Sequence, residues 1–341
     1  MRPRSAADLR HDKEEGQMTE LCRNGRKAGK RLLPYLWISI ILLLSAVYLE
    51  DWEGQFLAIR IRQAVPWSML LLGEYTLYLC GCLNYAAGGQ TALQICMIGL
   101  LRGSVGTTSF WLFYLFMILL SSAAIGLIYT VLDVRLKIKP LCFTLAFQMI
   151  FGGLAAWLSG RIPYAGAYSP QWLTRSRWLA LPLWVWFAII LLPVLGILLQ
   201  NTRQGRKFQL LNCSEQLLRG GEQELWRIKA FGYLFGTILI GCAAFFFELR
   251  TNAAVLTNGN YFTTYLLIAV GIGGIYGLNG KNILFRAILG GFCLMSLDAL
   301  FQKMHMTQNL GLCIGGVIFL LSFAMENGST KILPPDPKIT A

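Results

Sequence analysis

Apolar runs recur along almost the whole chain, separated by short polar stretches. They fall at 33–49, 67–83, 91–101, 110–132, 141–158, 178–199, 230–247, 261–278, 283–301 and 310–325. Most approach the roughly 17–25 residues that a helix needs to cross a bilayer core. The run at 91–101 is short and is expected to borrow residues from its flanks. A closed barrel would instead show weak alternating strands. The pattern predicts an all-α polytopic membrane protein with about ten transmembrane helices.

The interruptions differ in kind. Positions 55–66 set Phe56, Leu57, Ile59 and Ile61 against Arg60, Arg62 and Gln63, which predicts a short surface helix leading into the second span. Positions 161–177 mix turn formers with Tyr164, Tyr168 and Trp172, an outer loop at headgroup depth. Two interruptions are rich in glycine: 84–90, with Asn84, Gly88, Gly89 and Gln90, and 271–282, with Gly273, Gly274, Gly280 and Lys281. Gly-broken segments in both halves of a transporter point to irregular backbone lining a cavity. Spans two to five and seven to ten would then form an inverted repeat, one set starting outside and the other inside. Tight turns and small-residue packing faces are the alternative reading. The chain divides into a disordered basic leader at 1–32, a membrane domain at 33–326 and a short tail at 327–341. The long polar leader and the weak site at Ser45-Ala46-Val47 argue against a cleaved signal, so the first span is expected to be retained.

Composition agrees: 55% of residues are hydrophobic and 14% charged, against about 25% charged in soluble domains. The net charge of +13 could suggest nucleic acid, so its location decides. With the amino end inside, the outer side keeps only Arg60, Arg62, Arg102, Arg161, Arg175, Arg177, Arg250 and Lys303 of the 30 Lys and Arg. That is the positive-inside bias. The basicity reports topology and contact with membrane lipid, no nucleic acid is implied, and both termini fall in the cytoplasm.

Catalytic chemistry is sparse. Gly280-Lys281 invites a phosphate-loop reading, but Ile275 stands where the motif needs glycine and Asn282 where it needs Ser or Thr. The two histidines, His11 and His305, leave no triad or zinc site, and no metal or cofactor is expected. The nine cysteines read as small apolar packing residues. Three acids fall in or near the bilayer. Glu248, before Arg250, is expected to snorkel from a helix end, and Asp298 likewise near Lys303. Glu74 is deeper and lines either a solute path or a helix contact. Around it, Tyr75 and Tyr78 are placed to stack on a ring.

The polar segment 200–229 stands apart. It carries Thr202-Arg203-Gln204-Gly205, Ser214-Glu215 and Arg219-Gly220-Gly221 before Ile228-Lys229. A short amphipathic helix there, bearing Phe208, Leu210, Leu211, Leu217 and Leu218, would seat in a groove on a cytosolic partner, its charges fixing register. A solvated loop serving topology alone is the bland alternative. In order and spacing these motifs resemble the coupling loop of the ribose/simple-sugar and nucleoside class of ABC importer permeases. Asn84 with Gly89-Gln90 resembles an element of the nucleoside-type members, and Gly273-Gly274 with Gly280-Lys281 a late turn of the sugar-type ones. The chain departs in Asn84-Tyr85-Ala86, where sugar-type members show Asp-Leu-Ser, in Gln216-Leu217 and in Arg286.

The resemblance implies a permease subunit, not an enzyme, in a bacterial inner membrane. Two ATPase subunits, a second permease subunit (identical or not) and an extracytoplasmic solute-binding protein would complete it. The cargo would be a monosaccharide or nucleoside. Its path would involve Glu74, Tyr75, Tyr78, Asn84, Gly88, Gly89, Gln90, Gly273 and Gly274. Thr202, Arg203, Gly205, Ser214, Glu215 and Arg219 would couple it to the ATPases. An ion-coupled secondary transporter using Glu74 is the competing expectation.

Overall fold

The computed structural model describes residues 54–102, 110–159, 173, 176–178, 181–213, 221–251, 259–274 and 283–328. Ten α-helices form almost all of this: α1 (Gly54–Leu79), α2 (Ala87–Arg102), α3 (Phe110–Thr130), α4 (Pro140–Ser159), α5 (Leu183–Asn201), α6 (Arg203–Cys213), α7 (Gly221–Thr251), α8 (Gly259–Gly273), α9 (Ile283–Lys303) and α10 (Gln308–Gly328). α3 runs on into a π-turn, Val131–Arg135, and a two-stranded hairpin, β1 (Arg177–Trp178) and β2 (Leu181–Pro182), precedes α5. Among the described residues, five helical stretches are long and apolar enough to cross a membrane: Trp111–Arg135, Pro140–Ser159, Leu183–Asn201, Gln223–Thr251 and Ile283–Lys303. The expected spans at 33–49, the leader and the last tail residues lie outside the described residues.

Helices α1 and α7 pack along each other at the centre. α3 lies against α7, α9 against α1, α2 against α4, α8 against α10, and α2 against α8. Lipid offers no hydrophobic drive for helix association, so close packing must supply it. Small residues permit that approach. A Cβ on Gly73 would lie 3.0 Å from the Gly236 carbonyl oxygen, and one on Gly236 would lie 3.2 Å from that of Gly73. Gly241 of α7 fits against Ser122 of α3, and Gly291 of α9 against Ser68 of α1. The outer helices turn large apolar side chains outward instead, among them Leu112, Met149, Trp157, Ile190 and Leu320.

Several expectations change. The surface helix at 55–66 and the second span are one helix, α1, with Pro66 inside it. Neighbouring helices tolerate such a proline because its loss is confined to one backbone bond. Gly88, Gly89 and Gln90 belong to the first turn of α2, so the break in the chain is 80–86. The segment 200–229 is largely helical, built from α6 and the start of α7. Glu248 does not snorkel: α7 continues to Thr251 and Glu248 is 0% exposed. Phe246 and Phe247 beside it are buried as well. Asp298 behaves nearer to expectation, half-buried and accepting from Tyr265 Oη at 3.0 Å and Gln302 Nε2 at 2.8 Å.

Candidate functional site

The break after α1 is tightly built. Gly81 adopts φ +82°, the left-handed conformation that closes a helix, and Cys82 N–H turns back to the Leu77 carbonyl at 3.0 Å. Asn84 Oδ1 accepts from Ala86 N–H at 3.1 Å, an Asx turn that leads into α2. The Asn84 N–H donates to Glu74 Oε1 at 3.2 Å. Cys80, Cys82, Asn84 and Ala86 are buried while Gly81 and Leu83 are exposed, so the irregular backbone is sheltered by protein on one side only.

From this point a row of polar groups follows α2. Gly89 N–H donates to Gln148 Oε1 of α4 at 2.8 Å. Gln90 Nε2 donates to the Thr237 carbonyl of α7 at 3.1 Å, and Gln94 Nε2 to Ser122 Oγ of α3 at 2.8 Å. Tyr114 Oη donates to the Gln94 carbonyl. Most hydroxyls in the bundle are satisfied within their own helix, as for Ser68, Thr76, Thr91, Thr130, Thr237 and Ser296. Others are not: among the described residues Glu74 Oε2, Asn84 Nδ2, Gln90 Oε1, Gln94 Oε1, Tyr129 Oη, Ser322 Oγ and both oxygens of Glu248 have no hydrogen-bond partner. Unmet polar groups of this kind cost about 1–3 kcal/mol each, so their retention inside one bundle needs a reason.

The first turns of α2 and α8 also meet. A Cβ on Gly88 would run into the backbone of Thr263, which explains glycine there. α8 ends at Gly273, after which Gly274 takes φ +63°. Arg286 Nη1 donates to the Gly274 carbonyl at 2.6 Å. A cation at the carbonyl end of a helix is favourable, which gives this departure from the family pattern a local role.

At the other end of α5 the chain turns a sharp corner. Thr202 Oγ1 bonds back to the Leu198 carbonyl and accepts from Gly205 N–H at 3.2 Å. Thr202 thereby caps α6. A Cβ on Gly205 would overlap the Leu199 carbonyl, so the Thr-Arg-x-Gly spacing is what lets α6 fold against α5. The apolar face of α6 is already occupied. Phe208 and Leu211 are buried in the bundle, and a Cβ on Gly232 would come within 3.2 Å of Phe208. The expectation that these two side chains seat in a partner's groove is therefore corrected. Arg203 lies in the first turn of α6, while Ser214, Glu215, Arg219, Leu217 and Leu218 lie outside the described residues.

The profile of the family described as "Branched-chain amino acid transport system / permease component" matches residues 56–323. The chain belongs to this family. Among curated relatives, the ribose import permease protein RbsC of Bacillus subtilis (strain 168) is 20% identical over 305 residues, covering 88% of this chain and 92% of that one. The autoinducer 2 import system permease protein LsrC of Yersinia pseudotuberculosis (serotype O:1b, strain IP 31758) is 23% identical over 310 residues, covering 89% and 85%. No solved structure matches the chain. The protein is thus a multi-pass membrane permease component of an ABC transport system, which works with an ATPase and a binding protein, and not an enzyme.

Within the permease, Glu74, Asn84, Gly88, Gly89 and Gln90 gather around the start of α2. Tyr75 is buried, its ring 6.4 Å from that of Tyr78. Gly273 and Gly274 stand apart at the end of α8. Three features escaped the sequence. Gln94 repeats Gln90 one helical turn on, the signal that could have found it. Gln148 sits alone in an apolar run and gave none. The third is a buried ion pair, Lys229 Nζ to Asp133 Oδ2 at 2.9 Å, with side chains 7% and 8% exposed. Tyr233 Oη also donates to Asp133, and the i, i+4 spacing of Lys229 and Tyr233 places both on one face of α7.

Proposed function

We propose that this permease is the membrane subunit of an ATP-driven importer for a small polar solute, a monosaccharide such as ribose ahead of a nucleoside. One observation carries the reading: the bundle retains buried carboxyl, amide and phenol groups whose hydrogen bonds are unfilled. A solute dense in hydroxyls both donates and accepts, and would fill them in passing. The relatives point the same way, since one is named for ribose import. Glu74, Asn84 and Gln90 would meet the solute first, with Tyr75 and Tyr78 beside them and Gly88 and Gly89 keeping α2 close to its neighbours. Gly273 and Gly274 would shape the matching end of α8.

An inverted repeat of α1–α4 and α7–α10 fits the packing. Exchanging the halves turns the α3–α7 contact into α9–α1 and α2–α4 into α8–α10, while α1–α7 and α2–α8 map onto themselves. Broken, short helices α2 and α8 would then flank the path. Two ATPase subunits would dock around the 200–229 segment of two permease copies, meeting Thr202, Arg203, Gly205, Ser214, Glu215 and Arg219. Because α6 touches the ends of both α1 and α7, its displacement would tilt the two central helices together. The basic ends would face the bacterial cytoplasm, with both termini on the cytoplasmic side of the inner membrane and a binding protein delivering solute from outside.

Uptake of radiolabelled ribose and of a labelled nucleoside by cells expressing the complete system tests this. ATP depletion should stop uptake, and dissipating the proton gradient at constant ATP should spare it. Glu74→Gln should slow it while the protein remains in the membrane. Uptake that survives ATP depletion and collapses with the gradient would instead restore the ion-coupled reading.

A further inference from the structure

Beside the corner, on the end of the bundle where α3 finishes and α7 begins, a cavity of about 710 Å³ opens to the surface. It is lined by Val134, Arg135, Lys137, Gln223, Trp226 and Arg227. No acid is among these lining residues; Glu224, which borders the adjoining hollow with Gln223 and Arg227, is paired with Lys207, and Asp133 with Lys229. Arg135 and Arg227 have no ion-pair partner among the described residues. Trp226 gives its ring to the wall, with its Nε1–H below the accessible surface. Arg135, Lys137 and Arg227 therefore bring three cations to one space, which calls for an anion carrying several acceptor oxygens.

The surroundings narrow the choice. Val131, within the last turn of the apolar stretch Trp111–Arg135, and Leu136, Ile138 and Leu141, which follow it along the chain around the lining residues Val134, Arg135 and Lys137, all stand exposed. A free anion has no use for these apolar side chains, and an acidic protein would leave them against water. A ligand with a charged head and two hydrocarbon tails satisfies both parts, and indole groups favour the headgroup boundary. We propose that this cavity seats the phosphodiester headgroup of an anionic phospholipid, its acyl chains lying along Val131, Leu136 and Leu141. Such a lipid would bridge the π-turn after α3 to the first turns of α7. The site is independent of which solute the permease carries.

The test uses the full chain in neutral detergent with equimolar phosphatidylglycerol and phosphatidylcholine, counting retained lipids by native mass spectrometry. Wild-type protein should retain phosphatidylglycerol preferentially. The double variant R135Q/R227Q should lower that preference about 30-fold, the ordinary worth of two basic residues at an anionic surface. Lys137→Gln, at a lining position outside the helices, should lower it about 5-fold; it decides the matter if the double variant does not fold. A wild-type protein without preference would overturn the proposal, as would an undiminished preference in the variants. Displacement of the lipid by millimolar inorganic phosphate would assign the cavity to a free anion instead. Unchanged lipid retention with loss of a co-purifying acidic protein would assign it to a protein interface.

Discussion

The inner and outer helices of this permease follow different rules. α4 leaves most of its apolar length uncovered by the rest of the chain, with 28% of it buried, whereas 67% of that of α7 is buried. The outer helix spends its surface on Met149, Ile150, Leu154 and Trp157. The inner ones carry Glu74, Gln90, Gln94, Thr237 and Glu248, all buried. α1 is so polar that it is absent from the five candidate spans, although it lies at the centre. Its solvent is other protein, which can accept ionisable and amide groups that lipid rejects. Hydropathy therefore reports what touches lipid, and the polar residues it penalises report what lies within.

That contrast can be broken by mutation. The largest effect should come from the buried ion pair. Asp133→Asn or Lys229→Met leaves one charge uncompensated and should cost about 3–5 kcal/mol, read as a lowered thermal midpoint in detergent. The double variant D133N/K229M should recover most of that loss; a double as unstable as the singles would mean that the charges do not depend on each other. Next, Glu248→Gln exchanges a buried carboxyl group without a hydrogen-bond partner among the described residues for a neutral amide of the same shape, so the thermal midpoint should hold. Solute uptake should nevertheless fall about 10-fold where solute hydroxyls bond to this carboxyl. Wild-type uptake in that variant would remove Glu248 from the path.

Glycine gives the sharper comparison. Gly88→Ala pushes a methyl into the Thr263 backbone and should cost about 1–3 kcal/mol. The same change at Gly152 of α4 meets nothing within 4 Å and should stay within about 0.5 kcal/mol. Thermal unfolding of the two variants side by side would show whether inner and outer helices differ as described. Equal losses would contradict it.

Much of the helix order was legible because apolar length and polar interruption directly encode it, as at α3, α4, α5 and α9. The Thr202-Arg203-Gln204-Gly205 motif stood out only by its family resemblance; the cap at Thr202 and the close approach at Gly205 have local causes that its spacing could have shown. What escaped was decided by distant neighbours. Nothing near Glu248 in the chain says that it is enclosed by other helices rather than lying at an interface. Nor does local pattern pair Asp133 with Lys229 across nearly a hundred residues. Phe208 and Leu211 form an amphipathic stripe equally suited to a partner or to the permease itself, and only packing against Gly232 tells which.

The brevity of α2 and α8 carries one more consequence. At 16 and 15 residues, they reach about 24 and 22 Å, short of a hydrocarbon layer of about 30 Å. A helix facing lipid would answer such a shortfall by thinning the bilayer around it. These two pack against protein, so acyl-chain length should be felt by α4 and α5 and pass the centre by.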